Sequence, residues 1–412
     1  MTQPLSAPRD SIRIVLFERI HDNALERFAA AGYSNVETVG HTPDSAELAE
    51  RIADAHIVGI RSRTHLTPDI LAAARRLVGI GCFCIGTNQV AVGDAKARGI
   101  PVFNAPYSNT RSVAELVLGE IILLYRRVPE KSKAAHDGGW LKTAAGAFEI
   151  RGKVLGIVGY GHIGSQLSVM AEALGMRVCY YDITEKLSLG NAVSCRSLDE
   201  LLRAADVVSL HVPGTPETAG MIGARELALM KPGTVVVNAA RGEVVDVEAL
   251  AAALHEGRIG GAAVDVFPDE PAGPNDLLET PLRGLDNVIL TPHVGGSTEE
   301  AQANIAIEVA EKLIKYSDTG STVGAVNFVE VSLPVQKEST RFLHIHRNVP
   351  GVLAGINGVF SERGLNIAGQ YLRTDAEIGY VVTDIEGRLE AGMGIRRELQ
   401  NIEGTIRTRF LY

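Results

Sequence analysis

Three glycines, Gly159, Gly161 and Gly164, form the spacing Gly-x-Gly-x-x-Gly in a context that strongly restricts how this chain can fold. The apolar run 154–158 comes directly before them and predicts a buried parallel strand. A helical apolar pattern follows, and a second strand-like run ends in Asp182, eighteen residues after Gly164. This order, in which a strand, a glycine loop, a helix and a second strand are followed by an acidic residue, predicts a Rossmann-like unit that binds a dinucleotide.

The glycines and the acid each have a physical task in such a unit. Gly159 permits the tight turn, Gly161 lets a pyrophosphate approach the backbone, and Gly164 lets the helix pack on the strand. The helix N-terminus then faces the phosphates. Asp182 can accept hydrogen bonds from both ribose hydroxyls, and its charge would repel a 2′-phosphate, so the sequence favours NAD over NADP. The alternative interpretation is a glycine-rich turn that binds no ligand.

Length and composition exclude several other classes of protein. A chain of 412 residues is long enough for two or three domains, and its net charge of −9 argues against a general role on nucleic acid or membrane surfaces. No run approaches the roughly 18–20 apolar residues that span a bilayer. Residues 1–10 lack an apolar signal core and predict a disordered tail, so a cytoplasmic location is expected. The four cysteines form no CxxC motif and predict buried thiols rather than a metal or redox site.

The order of apolar runs predicts three domains. The first alternates short strands and helices without a glycine fingerprint, which indicates a separate α/β domain, and the second continues the doubly wound parallel sheet of the cofactor domain. A polar linker at 331–339 leads to a last domain with the order β-α-β-β-α-β, including a helix at 389–399, which is typical of a ferredoxin-like fold. The predicted boundaries are 1–10 for the tail, 11–108 plus 297–334 for the first domain, 109–296 for the cofactor domain, 335–340 for the linker and 341–412 for the last domain.

Three residues at predicted strand ends have the chemistry needed to move a hydride from a hydroxyl-bearing carbon. Such a reaction needs a base for the hydroxyl proton and a cation that holds the substrate. Arg241 follows a strand, where open α/β sheets bind ligands, and its guanidinium suits bidentate carboxylate recognition. Glu270 and His293 follow two further strands, and a Glu–His pair can orient the imidazole and raise its pKa. Taken singly, each has an ordinary alternative as a surface Arg, a turn Glu or a capping His.

Five ordered segments extend from the glycine loop to the turn that holds His293. They are Gly-Tyr-Gly-His-Ile-Gly (159–164), Ser-Leu-His-Val-Pro (209–213), Met-Lys-Pro-Gly-Thr-Val-Val-Val-Asn-Ala-Ala-Arg-Gly (230–242), Ala-Val-Asp-Val-Phe-Pro-Asp-Glu-Pro (263–271) and Thr-Pro-His-Val-Gly-Gly-Ser (291–297). Together with segments at 59–64, 81–90 and 104–115, this set resembles the D-isomer-specific 2-hydroxyacid dehydrogenases over nearly the whole chain. Residues 345–353 resemble the start of an ACT domain.

The resemblance implies a reaction and a role for each matching residue. The expected reaction would be NAD-dependent oxidation of D-3-phosphoglycerate to 3-phosphohydroxypyruvate, the first step of L-serine biosynthesis. Family members also reduce 2-oxoglutarate, and whether this chain does so is open at this stage. Arg241 would bind the substrate, His293 would be the acid–base with Glu270 as its partner, and Asp182 would hold the adenine-side ribose. Arg241 and His293 would also line the cofactor, with Gly159, Gly161, His162, Ile163, Gly164, His211, Val212, Pro213, Ala239, Ala240, Asp265, Val294, Gly295 and Gly296.

A phosphate-binding region is implied as well. A flavodoxin-like substrate domain would present Arg61, Ser62, Arg63 and Asn109 to the substrate, and Lys142 matches a further basic position of this region. The ordinary alternative for Arg61 and Arg63 is a solvated strand end.

Regulation by an amino acid is implied by the ACT-like unit. His346, Asn348 and Asn366 match the L-serine-contacting positions of inhibited family members, between the units of two subunits of a homotetramer. The alternative is that this unit only joins subunits. Trp140, in a glycine-rich loop, predicts a packing anchor at a subunit contact.

Two departures from the family pattern affect these expectations. Bacterial members with this architecture usually carry a lysine where this chain has Gly40, and the adjacent His41 is a poorer cation at neutral pH. The linker 335–340 is one residue longer than usual and lacks the usual pair of glycines, so motion there and the strength of inhibition are expected to differ.

Two alternative functions remain open at this stage. The first is another enzyme of the same superfamily, such as a hydroxypyruvate reductase or a D-lactate dehydrogenase, against which Arg61, Arg63 and the ACT-like unit argue. The second is a non-catalytic NAD sensor or co-repressor, against which the intact set of Arg241, Glu270 and His293 argues.

Overall fold

The computed structural model describes residues 8–271, 276–335, 339–387 and 392–411. Its contacts divide the chain into two compact units. One consists of Asn109–Ala301, and the other combines Met1–Ser108 with Gln302–Tyr412. Among the described residues, no helix combines the length and apolar character that crossing a membrane requires.

A five-stranded parallel sheet forms the N-terminal part of the chain. Its order is β2-β1-β3-β4-β5, the flavodoxin-like arrangement. Two of the helices between the strands begin at polar caps: Asp44 accepts backbone hydrogen bonds at the start of one, and Thr67 accepts one at the start of the next. The elements are β1 (Ile14–Phe17), α1 (Asn23–Ala30), β2 (Val36–Val39), α2 (Ser45–Ile52), β3 (Ile57–Ile60), α3 (Pro68–Ala73), β4 (Gly79–Cys82), α4 (Val92–Ala97) and β5 (Val102–Phe103).

The predicted disordered tail extends too far. Residues 1–7 lie outside the described residues, whereas Arg9–Ser11 form a 3₁₀ turn. The guanidinium of Arg9 pairs with Asp318 at 2.9 Å, which fixes this segment against the later helix. The local sequence pattern contains no sign of an ion pair between residues 309 positions apart, so composition alone predicts a longer tail.

A seven-stranded parallel sheet forms the unit Asn109–Ala301. Its order is β12-β11-β10-β9-β6-β7-β8, which is a Rossmann sheet with one added edge strand, and the order reverses at β6. The strands are β6 (Val154–Val158), β7 (Arg177–Tyr181), β8 (Val193–Ser194), β9 (Val207–Leu210), β10 (Thr234–Asn238), β11 (Ile259–Val264) and β12 (Val288–Leu290).

Apolar side chains cover both faces of this second sheet. Leu201, Leu250 and their neighbours fill one face, while Ile121 and Leu167 belong to the cluster on the other. Because both faces are buried, the strand sequences are continuous apolar runs and do not alternate between apolar and polar residues. The helices are α5 (Thr110–Tyr125), α6 (Val128–His136), α7 (His162–Ala173), α8 (Leu198–Ala204), α9 (Ala224–Leu229) and α10 (Val247–His255).

The last helix before the C-terminal domain is α11 (Glu299–Thr319). Val309, Leu313 and Tyr316 on this helix pack with Phe28 and Phe103 of the N-terminal part, in one buried cluster. The chain therefore returns to the first sheet after the Rossmann unit.

A four-stranded antiparallel sheet with two helices forms the C-terminal domain. Its order β14-β15-β13-β16 and its β-α-β-β-α-β sequence confirm the predicted ferredoxin-like fold. The elements are β13 (Ser339–Arg347), α12 (Val352–Glu362), β14 (Ile367–Thr374), β15 (Ile378–Glu386), α13 (Gly392–Gln400) and β16 (Thr405–Leu411). The start of the helix predicted at 389–399 lies outside the described residues.

The prediction of a polar linker at 331–339 is wrong for its first residues. Val331 and Leu333 are 5% and 4% exposed, and they pack with Leu343 and Tyr380 of the C-terminal domain. They are buried because they pack on an apolar face of the C-terminal sheet. The polar residues beside them in the sequence make the segment polar on average, so composition does not predict this packing. Residues 336–338 of the linker lie outside the described residues.

Candidate active site

The glycine loop has the geometry that its spacing requires. Gly159 has a φ of +92°, and a Cβ there would lie 2.6 Å from the carbonyl oxygen of His211. A Cβ at Gly164 would lie 2.4 Å from the carbonyl oxygen of Gly159, so only glycine lets α7 pack this closely. A Cβ at Gly161 would meet nothing within 4 Å, which leaves open space above the N-terminus of α7. The loop therefore fits a dinucleotide pyrophosphate, and His162 and Ile163 begin the helix that faces it.

Asp182 is placed directly after β7 and is bound to the same loop. Its Oδ2 accepts a hydrogen bond from the backbone N–H of Tyr160 at 2.9 Å, and its Oδ1 accepts from the N–H and hydroxyl of Thr184. Partial burial opposes ionisation of this carboxyl, but these hydrogen bonds and Lys186 outweigh it, so the pKa of Asp182 is lowered. A fixed anion thus stands beside the glycine loop.

His293 and Glu270, which the sequence predicts as an acid–base pair, lie in hydrogen-bonding contact. Nδ1 of His293 lies 2.9 Å from both carboxylate oxygens of Glu270. The backbone N–H of Phe267 donates to Glu270 at 3.3 Å and helps to fix its position. Because Nδ1 faces the carboxylate, Nε2 is the nitrogen that can exchange a proton with a substrate.

Each member of this pair changes the pKa of the other. The hydrogen bond and negative charge of Glu270 raise the pKa of His293 against the opposing effect of burial, with Asp265 adding to the increase. Burial would raise the pKa of Glu270, but the hydrogen bond and charge of His293 outweigh this and hold it below its usual value. Each member of the pair therefore favours the charged form of the other, which adjusts the histidine for proton exchange.

Asp265 orients the turn that carries the histidine. Its buried carboxylate accepts hydrogen bonds from the Thr291 hydroxyl at 2.6 Å and from the N–H groups of Val294 and Gly295 at 2.8 Å. His293 itself has a φ of +54°, which L residues other than glycine rarely adopt. Asp265 thus offsets the strain of the turn, and a position predicted to line the cofactor has a structural task as well.

Arg241 lies in a turn that follows β10. Asn238, which is buried, donates to the carbonyl of Arg241 at 3.0 Å and accepts from the N–H of Ala240 at 3.1 Å. The guanidinium of Arg241 donates to the carbonyl of Ala240 at 2.6 Å and lowers the pKa of Glu270 through its charge. The second unit therefore brings Arg241, Glu270 and His293 into electrostatic contact at the carboxyl ends of neighbouring strands.

In the N-terminal sheet, the loop after β3 carries Arg61, Ser62 and Arg63. The Glu18 carboxylate accepts the backbone N–H groups of Arg61 and Arg63 at 3.1 Å and of Thr64 at 2.8 Å. Gln89 donates to the carbonyl of Arg61 at 2.7 Å. The loop is held by its backbone, the side chains of Ser62 and Arg63 are exposed, and that of Arg61 is half-buried with Nη1 donating to the carbonyl of Glu18 at 3.4 Å.

The other predicted positions differ in their surroundings. Asn109 is 4% exposed and belongs to the unit Asn109–Ala301, not to the first domain; a Cβ at Gly296 would lie 2.3 Å from its side-chain nitrogen. The imidazole of His211 is buried beside the Ser209 hydroxyl, and burial lowers its pKa to about 4. Lys142 is exposed in the loop that also presents Trp140.

Within one chain, the three predicted serine-binding residues do not come together. His346 is opposite Gly379 in the β13–β15 ladder, and Asn348 follows it at the same end of the sheet. Asn366 is bonded to Glu386, seven residues further along β15, a distance of about 23 Å. Any site that uses all three residues needs a second copy of the domain.

Comparisons with known proteins agree with this geometry. A family model described as the NAD-binding domain of D-isomer specific 2-hydroxyacid dehydrogenases matches residues 118–295, and an AHAS small subunit-like ACT domain matches residues 342–407. A D-3-phosphoglycerate dehydrogenase of Haemophilus influenzae is 57% identical over 412 residues, with 100% of both chains covered. The chain belongs to the D-isomer-specific 2-hydroxyacid dehydrogenase family. It is therefore an oxidoreductase with an NAD-binding domain and an ACT domain, as the motifs predicted.

Further relatives of the dehydrogenase extend the comparison to solved structures. The D-3-phosphoglycerate dehydrogenase of Escherichia coli K12 is 57% identical over 408 residues, which cover 99% of both chains. The TT0316 protein of Thermus thermophilus is similar in structure, with a TM-score of 0.65, 34% identity, and 73% of this chain and 96% of that chain covered. A D-lactate dehydrogenase of Aquifex aeolicus solved with NAD and lactic acid has a TM-score of 0.67 at 27% identity, covering 77% of this chain and 100% of that one.

Proposed function

We propose that this dehydrogenase oxidises D-3-phosphoglycerate to 3-phosphohydroxypyruvate with NAD, in the first step of L-serine biosynthesis. The observation that carries the proposal is the joint presence of the Glu270–His293 pair and the outward-facing Arg61–Arg63 loop. The first can exchange the hydroxyl proton, and the second can bind a phosphate. Full-length relatives that bear this enzyme's name support the choice of substrate.

The chemistry divides between the cofactor and the residues of the chain. The glycine loop 159–164 and Asp182 would hold NAD, which would supply the acceptor for the hydride that leaves C2 of the substrate. His293 accepts the hydroxyl proton at Nε2, so that the oxygen forms the new C=O bond, and the Glu270 carboxylate stabilises the imidazolium. Arg241 holds the substrate carboxylate beside this pair and polarises the reacting oxygen.

Substrate comparison tests this proposal directly. We expect a higher kcat/KM for the reduction of 3-phosphohydroxypyruvate than of hydroxypyruvate, pyruvate or 2-oxoglutarate, measured by NADH consumption at equal pH. Reduction of 2-oxoglutarate at a lower rate is expected as well, because Arg241 recognises a carboxylate at the reacting end and the Arg61–Arg63 loop can bind a second anion. A preference for hydroxypyruvate or pyruvate would favour the hydroxypyruvate reductase or D-lactate dehydrogenase alternative.

Cofactor choice is predicted to follow from Asp182. Its lowered pKa keeps it ionised, so it repels the 2′-phosphate of NADP, and NAD should be preferred by at least about tenfold in kcat/KM, or roughly 1.4 kcal/mol. Asp182→Asn should reduce this preference while keeping hydrogen-bonding capacity towards Tyr160. Glu185→Gln, which removes an exposed neighbouring charge, is the matched control and should leave the preference unchanged. Equal efficiency of the native enzyme with both cofactors would contradict this role.

We also propose that the ACT domain binds L-serine between two subunits of an oligomer, which we expect to be a tetramer. The separation of Asn366 from His346 and Asn348 along β15 supports a shared site, because two antiparallel copies could supply opposite ends of one pocket. His346 is 4% exposed, and burial lowers its pKa, so its neutral imidazole can accept as well as donate hydrogen bonds. Exposed Trp140, at 85%, is available for a second subunit contact.

An ion-pair path connects the proposed serine site with the substrate domain. The side-chain nitrogen of Asn348 donates to the carbonyl of Asp375 at 2.7 Å. The carboxylates of Asp375 and Glu377 bind Lys96 of α4 at 2.9 and 2.5 Å. An effector that engages the Asn348 amide would therefore disturb a turn that is tied to the N-terminal sheet.

Serine inhibition is predicted to be weak and to depend on Asn348. The linker lacks glycine, so we expect half-inhibition at higher L-serine than in family members with a glycine hinge. Asn348→Ala should raise the half-inhibiting concentration by about tenfold or more, because a buried charge of the amino acid loses its partner. Asn401→Ala, an exposed amide of the same domain, is the control. Absence of both inhibition and calorimetric binding at millimolar serine would leave the domain a subunit-joining module.

A further inference from the structure

Three neighbouring strands of the N-terminal sheet end beside one another, and each is followed by a residue that bears on anion binding. Phe17 of β1 is paired with Val39 of β2, and Leu16 with Gly59 of β3. Gly40 and Arg61 come directly after β2 and β3, and Arg19 comes two residues after the end of β1. Ligands of open parallel sheets bind at this edge, outside the carboxyl ends of the strands.

The position of Gly40 has no side chain of its own, and the side chain of Arg19 lies over it. A Cβ built at Gly40 would be 3.7 Å from Nε of Arg19 and 3.8 Å from its Cγ, which is ordinary contact. A cation from the turn after β1 therefore lies beside the space into which a side chain at position 40 would project. The adjacent His41 is not available for the same task, since its Nε2 is 2.9 Å from the Glu47 carboxylate.

The backbone at the end of β1 is held in an unusual conformation that directs Arg19. Glu18 and Arg19 have φ angles of 63° and 50°, in the left-handed region that non-glycine residues rarely adopt. Glu18 accepts three backbone N–H groups of the Arg61–Thr64 loop, and the carbonyl of Glu18 accepts Nη1 of Arg61 at 3.4 Å. These bonds tie the Arg19 turn to the loop that carries Arg61 and Arg63.

Positive charge is in excess at this edge. In the described ranges 8–271, 276–335, 339–387 and 392–411, no carboxylate forms an ion pair with Arg19, Arg61 or Arg63. The Glu18 carboxylate accepts backbone donors, and its single negative charge offsets only part of the charge of the three guanidinium groups. Arg19 and Arg63 are exposed, so their guanidinium groups face solvent and can reach an anionic ligand.

We propose that Arg19 is a specificity-determining residue that binds the phosphate of the substrate together with Arg61 and Arg63. This inference rests on the proposed function, because it assigns a contact to the phosphorylated end of that substrate. Arg19 thereby supplies a cation that the β2 strand end, with Gly40, does not provide. Its guanidinium acts on binding and not on the proton or hydride transfer at the other end of the substrate.

Steady-state kinetics of four chains test the proposal: the native enzyme, Arg19→Ala, Arg27→Ala, and Arg19→Ala combined with Gly40→Lys. Each is assayed by NADH consumption with 3-phosphohydroxypyruvate and with hydroxypyruvate, which lacks the phosphate. Arg27, an exposed arginine of α1 paired with Glu311 at 3.6 Å, is the matched control for a lost positive charge. Gly40 has an ordinary φ and room for a side chain once Arg19 is shortened, so lysine can be introduced there.

The proposal gives a distinct result for each chain. Arg19→Ala should raise KM for 3-phosphohydroxypyruvate about tenfold with little change in kcat, and should leave KM for hydroxypyruvate within about twofold. Lysine at position 40 should restore most of the loss, and Arg27→Ala should match the native enzyme. A native enzyme that favours the phosphorylated substrate while Arg19→Ala changes neither KM, or changes both equally, would overturn the role of Arg19 alone. A native enzyme without that preference would overturn both this role and the proposed function.

Discussion

His293→Ala is expected to reduce turnover by about 10²–10⁴-fold, because the variant has no group that can take the hydroxyl proton at the position of Nε2. Binding of NADH, followed by fluorescence titration, should change little, since the glycine loop and Asp182 are unaffected. His136→Ala, an exposed histidine at the end of α6, is the control for a lost imidazole and should keep native turnover. Near-native turnover of His293→Ala would exclude His293 as the acid–base.

Glu270→Gln should separate positioning from charge in the same site. The carboxylate raises the pKa of His293, so its loss should lower that pKa while the amide still accepts a hydrogen bond. Oxidation needs the neutral imidazole and rises as pH increases through this pKa, so its acidic limb should move to lower pH. Reduction needs the protonated imidazole and should therefore be lost at a lower pH than in the native enzyme. Profiles that superimpose for the two chains would contradict electrostatic coupling of the pair.

The glycine loop was predictable because its constraints are local. The close approaches of Gly159 and Gly164 follow from a turn and a helix start within six residues, and the spacing encodes them. The fold classes and element order followed for a similar reason, since continuous apolar runs mark strands buried on both faces. The Glu270–His293 hydrogen bond was likewise expected from two strand ends that meet at one edge of a parallel sheet.

Contacts between distant segments were not predictable. In the sequence, Glu18 is an ordinary acidic residue after a strand. Its role in holding the Arg61–Thr64 loop becomes visible only in the structure, where β1 and β3 are neighbours. Asn238 could have been noticed as an amide at the end of an apolar run, yet its bonds to the Arg241 turn depend on backbone geometry. Glu120 reads as one polar residue in the apolar helix α5, but it is 2% exposed and its pKa is raised to about 8 by burial and by Asp265.

The linker illustrates how sequence composition can mislead. Its polar residues and missing glycines indicated only that motion there would differ. The structure shows that flanking residues bind the C-terminal domain to the rest of its unit, since Val331 and Leu333 are buried against β13 and β15 neighbours. Arg341 adds a polar clamp at the same place. Residue type predicted a polar connection from 331 onward, whereas Val331 and Leu333 belong to the packed part of the unit.

Arg341→Met is expected to have the largest effect on stability in the described part of the chain. Arg341 is fully buried, and its guanidinium binds Asp384 through Nε at 2.6 Å and Nη2 at 2.8 Å. Its Nη1 also donates to the carbonyls of Thr319 at 2.9 Å and Pro334 at 3.0 Å. Removing it leaves a poorly solvated carboxylate and two carbonyls without a donor, at a cost of about 3–5 kcal/mol. Hydrogen exchange of β13 and β15 amides should accelerate by at least about 100-fold.

Two further variants identify the cause of such a loss. Arg363→Met removes an arginine whose ion pair with Glu398 is exposed, so it should cost less than about 1 kcal/mol. Arg341→Met combined with Asp384→Leu removes both buried charges and should recover much of the stability, because an apolar pair of similar volume avoids the desolvation cost. Equal effects of Arg341→Met and Arg363→Met would exclude a clamp at Arg341. Because this clamp joins β13 to the end of α11 and to Pro334, we expect any serine signal to pass through the packed Asn348–Asp375–Lys96 path and not through free rotation at the linker.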